Sequence, residues 1–262
     1  MTSVIEEDVR TRILDEIAKV EREEEVKVIY ACESGSRAWG FESPDSDYDV
    51  RFIYVHRTDW YLTVQDKRDV IERPIDYELD ISGWDLPKAL KLLRKSNPPL
   101  LEWLQSPIVY TEVPEASAIF KDLVPRSYSP ISCMYHYLHM GEGNYKKYLL
   151  KEEVSLKKYF YALRPVLACR WIERELGPVP TEFGKLMDAT LESGPLTDSI
   201  NLLLEKKMAA GEMECGKRIP VISDFLESEM ERFNAASMEG GEAIDPEELD
   251  QCFRSILNVV NR

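Results

Sequence analysis

Asp47 and Asp49 stand two residues apart at the head of the apolar run Tyr48 to Val55. On a β-strand that spacing sends both carboxylates to one face. Two like charges so close repel, and a divalent cation between them relieves the repulsion. Upstream, the run Val26 to Cys32 ends at Glu33-Ser34-Gly35-Ser36, a turn where the missing Cβ of Gly35 lets a phosphate approach the backbone. A phosphate-gripping turn beside a carboxylate pair is suited to metal-assisted phosphoryl chemistry.

A third carboxylate would complete the site. The segment from Asp76 to Ser82 offers Asp76, Glu78 and Asp80 in alternation. Asp80 is the first choice because Leu79 and Ile81 flank it as the polar position of a buried strand, with Glu78 second and Asp76 third. Three such groups can hold two Mg²⁺ ions, or Mn²⁺ in their place, about 3.5–4 Å apart. The expected metal ligands and catalytic residues are thus Asp47, Asp49 and Asp80.

Other residues have competing roles. Arg37 is equally suited to a triphosphate and to an ion pair with Glu33 or Glu42. Trp39 and Phe41 are expected to wall the loop, and Tyr48 to point into the core. Lys157, Tyr161 and Arg164 share a helical face, with Lys158 adjacent, and either bind a triphosphate tail or form a solvated surface. His136 and His139 stand three apart with no evident third ligand and are expected to be packed residues.

The elements that position these groups follow from periodicity. Val4 to about Glu24 reads as an amphipathic helix, Val26 to Cys32 and Tyr48 to Val55 as strands, and Asp69 to Arg73 with Asp76 to Ser82 as a hairpin around Pro74. Asp85 and Asn97 are placed to cap helices that carry Pro87 and Pro98 in their first turns. Beyond Pro130 the patterns are almost wholly helical, including Tyr135–Glu152 and Val154–Leu176. The fold class is α+β, with a catalytic domain over residues 1–115 and a helical substrate-binding domain over 116–262.

The string from Gly35-Ser36 to Asp47-Tyr48-Asp49 resembles the signature of the DNA polymerase β-like nucleotidyltransferase superfamily. The longer GSRAWGFESPDSDYDVRFIYV, with SGWDLPKALKLLRKSNPPLLEWLQSPIVY and LKKYFYALRPVLACRWI, is similar to its RNA-repair-associated (RlaP-like) group. The resemblance implies a palm-like mixed sheet with flanking helices and an all-helical domain after it. It also implies transfer of a nucleoside monophosphate from an NTP, with release of pyrophosphate. The acceptor would be an RNA 3′ end, a small molecule or a protein. A nucleotide-sensing or antitoxin-like interaction module of the same fold is the alternative.

Bulk properties narrow the field. The chain is 44% hydrophobic and carries a net charge of -15, unsuited to nonspecific nucleic-acid binding. Asn144 to Arg174 nevertheless holds eight basic residues against three acidic ones. The five cysteines are scattered and lack metal spacing. No apolar run is long enough to span a bilayer and the first residues are acidic, so a cytoplasmic protein without a membrane partner is expected.

Overall fold

The computed structural model describes residues 5–75, 78–209, 215–235 and 244–261. Helix α1 (Glu7–Glu23) leads into strand β1 (Val26–Glu33), the short helix α2 (Gly35–Trp39), strand β2 (Tyr48–His56) and helix α3 (Thr58–Tyr61). Strands β3 (Val70–Glu72) and β4 (Leu79–Asp85) follow, then helices α4 (Leu86–Arg94) and α5 (Pro98–Leu104) and strand β5 (Val109–Glu112). Helices α6 (Pro114–Asp122), α7 (Val124–Ser127) and α8 (Pro130–Tyr148) precede strand β6 (Glu153–Ser155) and helices α9 (Lys158–Glu173), α10 (Phe183–Thr190) and α11 (Pro195–Ala209). Strand β7 (Cys215–Lys217) and helices α12 (Pro220–Ala235) and α13 (Pro246–Val260) complete the chain. The architecture is mixed α+β, with many helices around one principal sheet.

Two compact units divide it: Met1–Ala38, Asp47–Tyr128 and Glu242–Arg262 in the first, Trp39–Ser46 and Ser129–Gly241 in the second. This grouping differs from a single cut between 115 and 116. The C-terminal helix α13 packs on α6 and α4 and so rejoins the first unit, a long-range return that no local pattern announces.

The first unit is built on a five-stranded sheet ordered β3-β4-β2-β1-β5. Strand β2 runs parallel to β4, and the other neighbours are antiparallel. The apolar stripe of α1 (Val9, Ile13, Ile17, Val20) buries against Tyr48, Val50, Phe52 and Tyr54 of β2, the burial that holds an amphipathic helix on a sheet. Alternation then sends Asp49 and Arg51 to the other face. Gly83 on β4 lies so close beneath Phe52 that a Cβ would stand 2.2 Å from its ring. Asn97 caps α5 as expected, accepting from the Leu100 N–H at 3.2 Å. Asp85 occupies the N-cap position of α4 without capping it; its carboxylate accepts the Tyr61 hydroxyl at 2.6 Å instead.

The second unit packs α8, α9 and α10 around a core that includes Phe160, Leu163 and Phe183. It is not wholly helical. Strands β6 and β7 pair antiparallel, so residues 153–155 lie outside the helix expected from Val154, and α9 begins at Lys158. The loop Trp39–Ser46 belongs to this unit: Phe41 packs on Phe160 at 4.9 Å, and buried Lys207 donates to the Phe41 carbonyl at 2.8 Å. His136 and His139 are exposed on α8 rather than packed. Among the described residues, no helix is long and apolar enough to cross a membrane.

Candidate functional site

The parallel pairing of β2 with β4 sets Asp49 directly opposite Asp80. Both carboxylates reach one nitrogen of Arg51, Asp49 Oδ1 at 2.9 Å and Asp80 Oδ2 at 2.7 Å. The other terminal nitrogen donates to the backbone carbonyls of Asp80 at 2.8 Å and Val50 at 3.1 Å. Arg51 is only 17% exposed, against 28% for Asp49 and 35% for Asp80. A partly buried fork of this kind holds two mutually repelling acids at a fixed spacing.

The turn after β1 approaches the same point. Gly35 has φ +60°, and a Cβ there would stand 2.0 Å from Asp49 Oδ2. Only glycine fits this combination of left-handed backbone and close approach. The Ser34 N–H donates to the Asp49 carbonyl at 2.8 Å, while the Asp49 N–H donates to Glu33 Oε1 at 3.0 Å. Asp49 is therefore gripped through both of its backbone polar groups.

Glu33 is fully buried, and its other oxygen accepts the Tyr110 hydroxyl at 2.5 Å. Burial is the main cause that lifts its carboxyl to about 7, against the lowering effect of these two hydrogen bonds. The same desolvation pushes the Tyr110 phenol and Cys32 thiol well above their usual ranges.

Asp47 lies one residue before β2 and is exposed. Its backbone carbonyl accepts from Arg37 Nε at 3.3 Å, and the Arg37 guanidinium stacks on the Tyr48 ring at 3.8 Å. The Arg37 charge also reaches buried Glu33, whose carboxyl pKa it helps to lower. Tyr48 is buried in the α1-facing core as expected. Ser36 sits on α2 and is half-buried. Glu78 is drawn away to Arg12 of α1 at 3.5 Å, leaving Asp80 as the β4 carboxylate that meets Asp49. Asp76 lies outside the described residues.

The basic helix residues belong to the second unit and divide sharply. Lys157 is the N-cap of α9. Lys158 lies 4.4 Å from the Tyr161 ring centroid and 4.8 Å from that of Tyr148, on a partly exposed surface. Arg164 is 2% exposed and donates to the carbonyls of Pro180 and Thr181 at 3.2 and 3.3 Å. That burial makes Arg164 a packing element of its unit, on a helix whose residues 162–169 are all buried.

Sequence periodicity missed Arg51 and Glu33. Arg51 was marked by its place two residues after Asp49 on the same strand face. Glu33 was marked by a charge ending an otherwise apolar strand.

The donor chemistry fits a hard divalent cation in part. Asp49 and Asp80 converge within 3 Å of one nitrogen, are partly exposed, and offer only oxygen ligands. Among the described residues, no group of three or more acidic, histidine or cysteine side chains is gathered for a metal.

Comparison with known proteins settles the lineage. The model of the RlaP family, described as the RNA repair pathway DNA polymerase beta family, matches residues 9–255. The chain belongs to that family. Within it, the chain is 48% identical over 230 residues to "Uncharacterized protein YcgL" of Bacillus subtilis (strain 168), covering 88% of each protein. A crystallised nucleotidyltransferase-like protein from Exiguobacterium sibiricum 255-15 aligns with 94% of this chain and 78% of its own at 9% identity. Its TM-score is 0.29, too slight a likeness to argue from. Family membership places the chain among polymerase β-like nucleotidyltransferases with an RNA-repair association.

Proposed function

We propose that the protein transfers a nucleoside monophosphate from an NTP to an acceptor hydroxyl, with release of pyrophosphate. The observation that carries this reading is the meeting of Asp49 and Asp80 across β2 and β4 beside a glycine that a Cβ would drive into Asp49. The close approach sets the turn's backbone beside the two carboxylates, where a phosphate and a cation would meet.

Asp49 and Asp80 would hold Mg²⁺, with exposed Asp47 free to turn towards it as the third ligand. The cation supplies charge neutralisation for the triphosphate and acidifies the attacking hydroxyl. The chain's own residues do the rest. Glu33 and Ser34 fix the backbone of Asp49, Arg51 sets the spacing of the two carboxylates, and Gly35-Ser36 provides the close backbone approach. Arg37 is the further group of this unit assigned to the nucleotide, with ATP among the NTPs to try; Arg164 acts by packing in the second unit. For the acceptor, the family's RNA-repair association favours an RNA end over a small molecule or protein.

A second reading, a nucleotide sensor without turnover, draws on Arg51 itself. A guanidinium that already balances both carboxylates is compatible with a site that needs no metal. Incubation with each α-labelled NTP, Mg²⁺ and a mixed acceptor pool separates the readings. Pyrophosphate with label on an acceptor supports transfer. Inorganic phosphate as the sole product shows hydrolysis, and NTP-induced thermal stabilisation without product shows sensing.

A further inference from the structure

At the other end of β2, about 23 Å from Asp49 by the rise of an extended strand, lies a cavity of about 420 Å³ within the first unit. Tyr54, His56, Trp60, Lys67, Val70 and Ile71 contribute to its lining. Tyr54 is 0% and His56 6% exposed, and among the described residues neither side chain makes a hydrogen bond, while the His56 backbone N–H donates to the Tyr61 hydroxyl. Both side chains line the hollow, and their polar groups can pair with whatever fills it.

The remaining lining gives that hollow its chemistry. The His56 ring stacks on Trp60 at 3.8 Å and 13°, a paired aromatic element of the lining. Burial holds the His56 imidazole down to about 4, so at neutral pH it presents one donor and one acceptor nitrogen. The acids at the rim are matched: Glu24 pairs with Arg73, and Glu72 with Arg68. Lys67 has no carboxylate partner among the described residues and lies 3.6 Å over the Trp60 ring. An adjoining hollow adds Glu25 and Asp59 with Arg57, and the two acids beside its cations disfavour a polyanion such as a triphosphate.

We propose that this cavity binds a small planar heteroaromatic molecule bearing a single anionic group, at a site separate from the carboxylate pair. The ring enters edge-on beside the stacked Trp60–His56 pair, its heteroatoms pair with the Tyr54 hydroxyl and the imidazole, and Lys67 swings from the indole to the anion.

The test uses the full chain in EDTA, which removes any cation-dependent nucleotide binding at Asp49 and Asp80. Nicotinate, orotate, AMP and CMP are titrated by calorimetry, with adenosine as the uncharged control, while the His56 ring resonance is followed by NMR. The expected result is saturable binding of at least one anion that shifts the His56 signal and weakens fivefold or more in both Tyr54→Phe and Lys67→Ala. Lys67 is exposed, so its variant keeps the fold if the Tyr54 change does not. Absence of binding by all four anions, or binding that both variants leave unchanged, overturns the proposal and marks the cavity as water-filled. Neither outcome touches NTP transfer, which is measured separately with Mg²⁺.

Discussion

Asp49 and Asp80 sit opposite each other on parallel strands and bind the same nitrogen of Arg51, at 2.9 and 2.7 Å. Arg51 is thus both the spacer of the pair and the positive charge that a divalent cation would have to share or displace.

Arg51→Met therefore leaves two facing carboxylates uncompensated. The variant is expected to melt lower than wild type without divalent ions, and to gain more melting temperature on addition of Mg²⁺. Thermal unfolding with and without 5 mM Mg²⁺ checks this. Equal Mg²⁺ responses in the two proteins would show that Arg51 does not compete for the site.

Gly35→Ala combines a left-handed φ with a Cβ 2.0 Å from Asp49 Oδ2. Strain of this kind costs on the order of 1–3 kcal/mol, and the carboxylate must also move. Urea unfolding should show that loss, with a larger proportional loss of transfer activity than of stability. A variant as stable and active as wild type would refute the close approach.

Glu33 makes a pH prediction. Its folded carboxyl is raised from 4.5 to about 7, chiefly by burial. The folded state holds this proton more tightly than the unfolded chain, so the associated stability is complete below about 4.5 and is lost as pH rises to about 7. Glu33→Gln removes that titration while keeping an acceptor for the Asp49 N–H. The difference in unfolding free energy, variant minus wild type, should rise across pH 4.5–7 by on the order of 2–3 kcal/mol, at 1.36 kcal/mol per unit. A flat difference over that window would rule out a protonated Glu33.

Arg164 separates packing from ligand binding. Because its guanidinium is buried and serves the Pro180 and Thr181 carbonyls, Arg164→Ala should lower stability by about 2–4 kcal/mol. Denaturant unfolding, alongside NTP affinity measured at a temperature where the variant stays folded, tests this. Unchanged stability with a selective loss of NTP affinity would return Arg164 to the nucleotide site.

The strands at the site were legible because each carries its own period: apolar VKVIYAC before a glycine turn, and YDVRFIYV after an acidic loop. Asp80 is marked in the sequence by lying between Leu79 and Ile81, and the structure sets it against Asp49. What the sequence could not provide was the register. That β4 lies parallel to β2, rather than elsewhere in the sheet, depends on a contact across some thirty residues. The same holds for the Glu33–Tyr110 bond, for β6 with β7, and for α13 returning to the first unit, all set by distant partners. Arg164 and Lys158 shared a basic stretch in the sequence, and only packing distinguished the buried one from the exposed one.

The most direct measurement is single-turnover transfer from an α-labelled NTP in Asp49→Asn and Asp80→Asn, each compared with wild type and each checked for an intact thermal transition. The expected result is a loss of 10³-fold or more in both variants, on the scale of removing metal-holding or transition-state charge, with the fold retained. Transfer within tenfold of wild type in either variant would contradict a carboxylate pair that holds the reaction's cation.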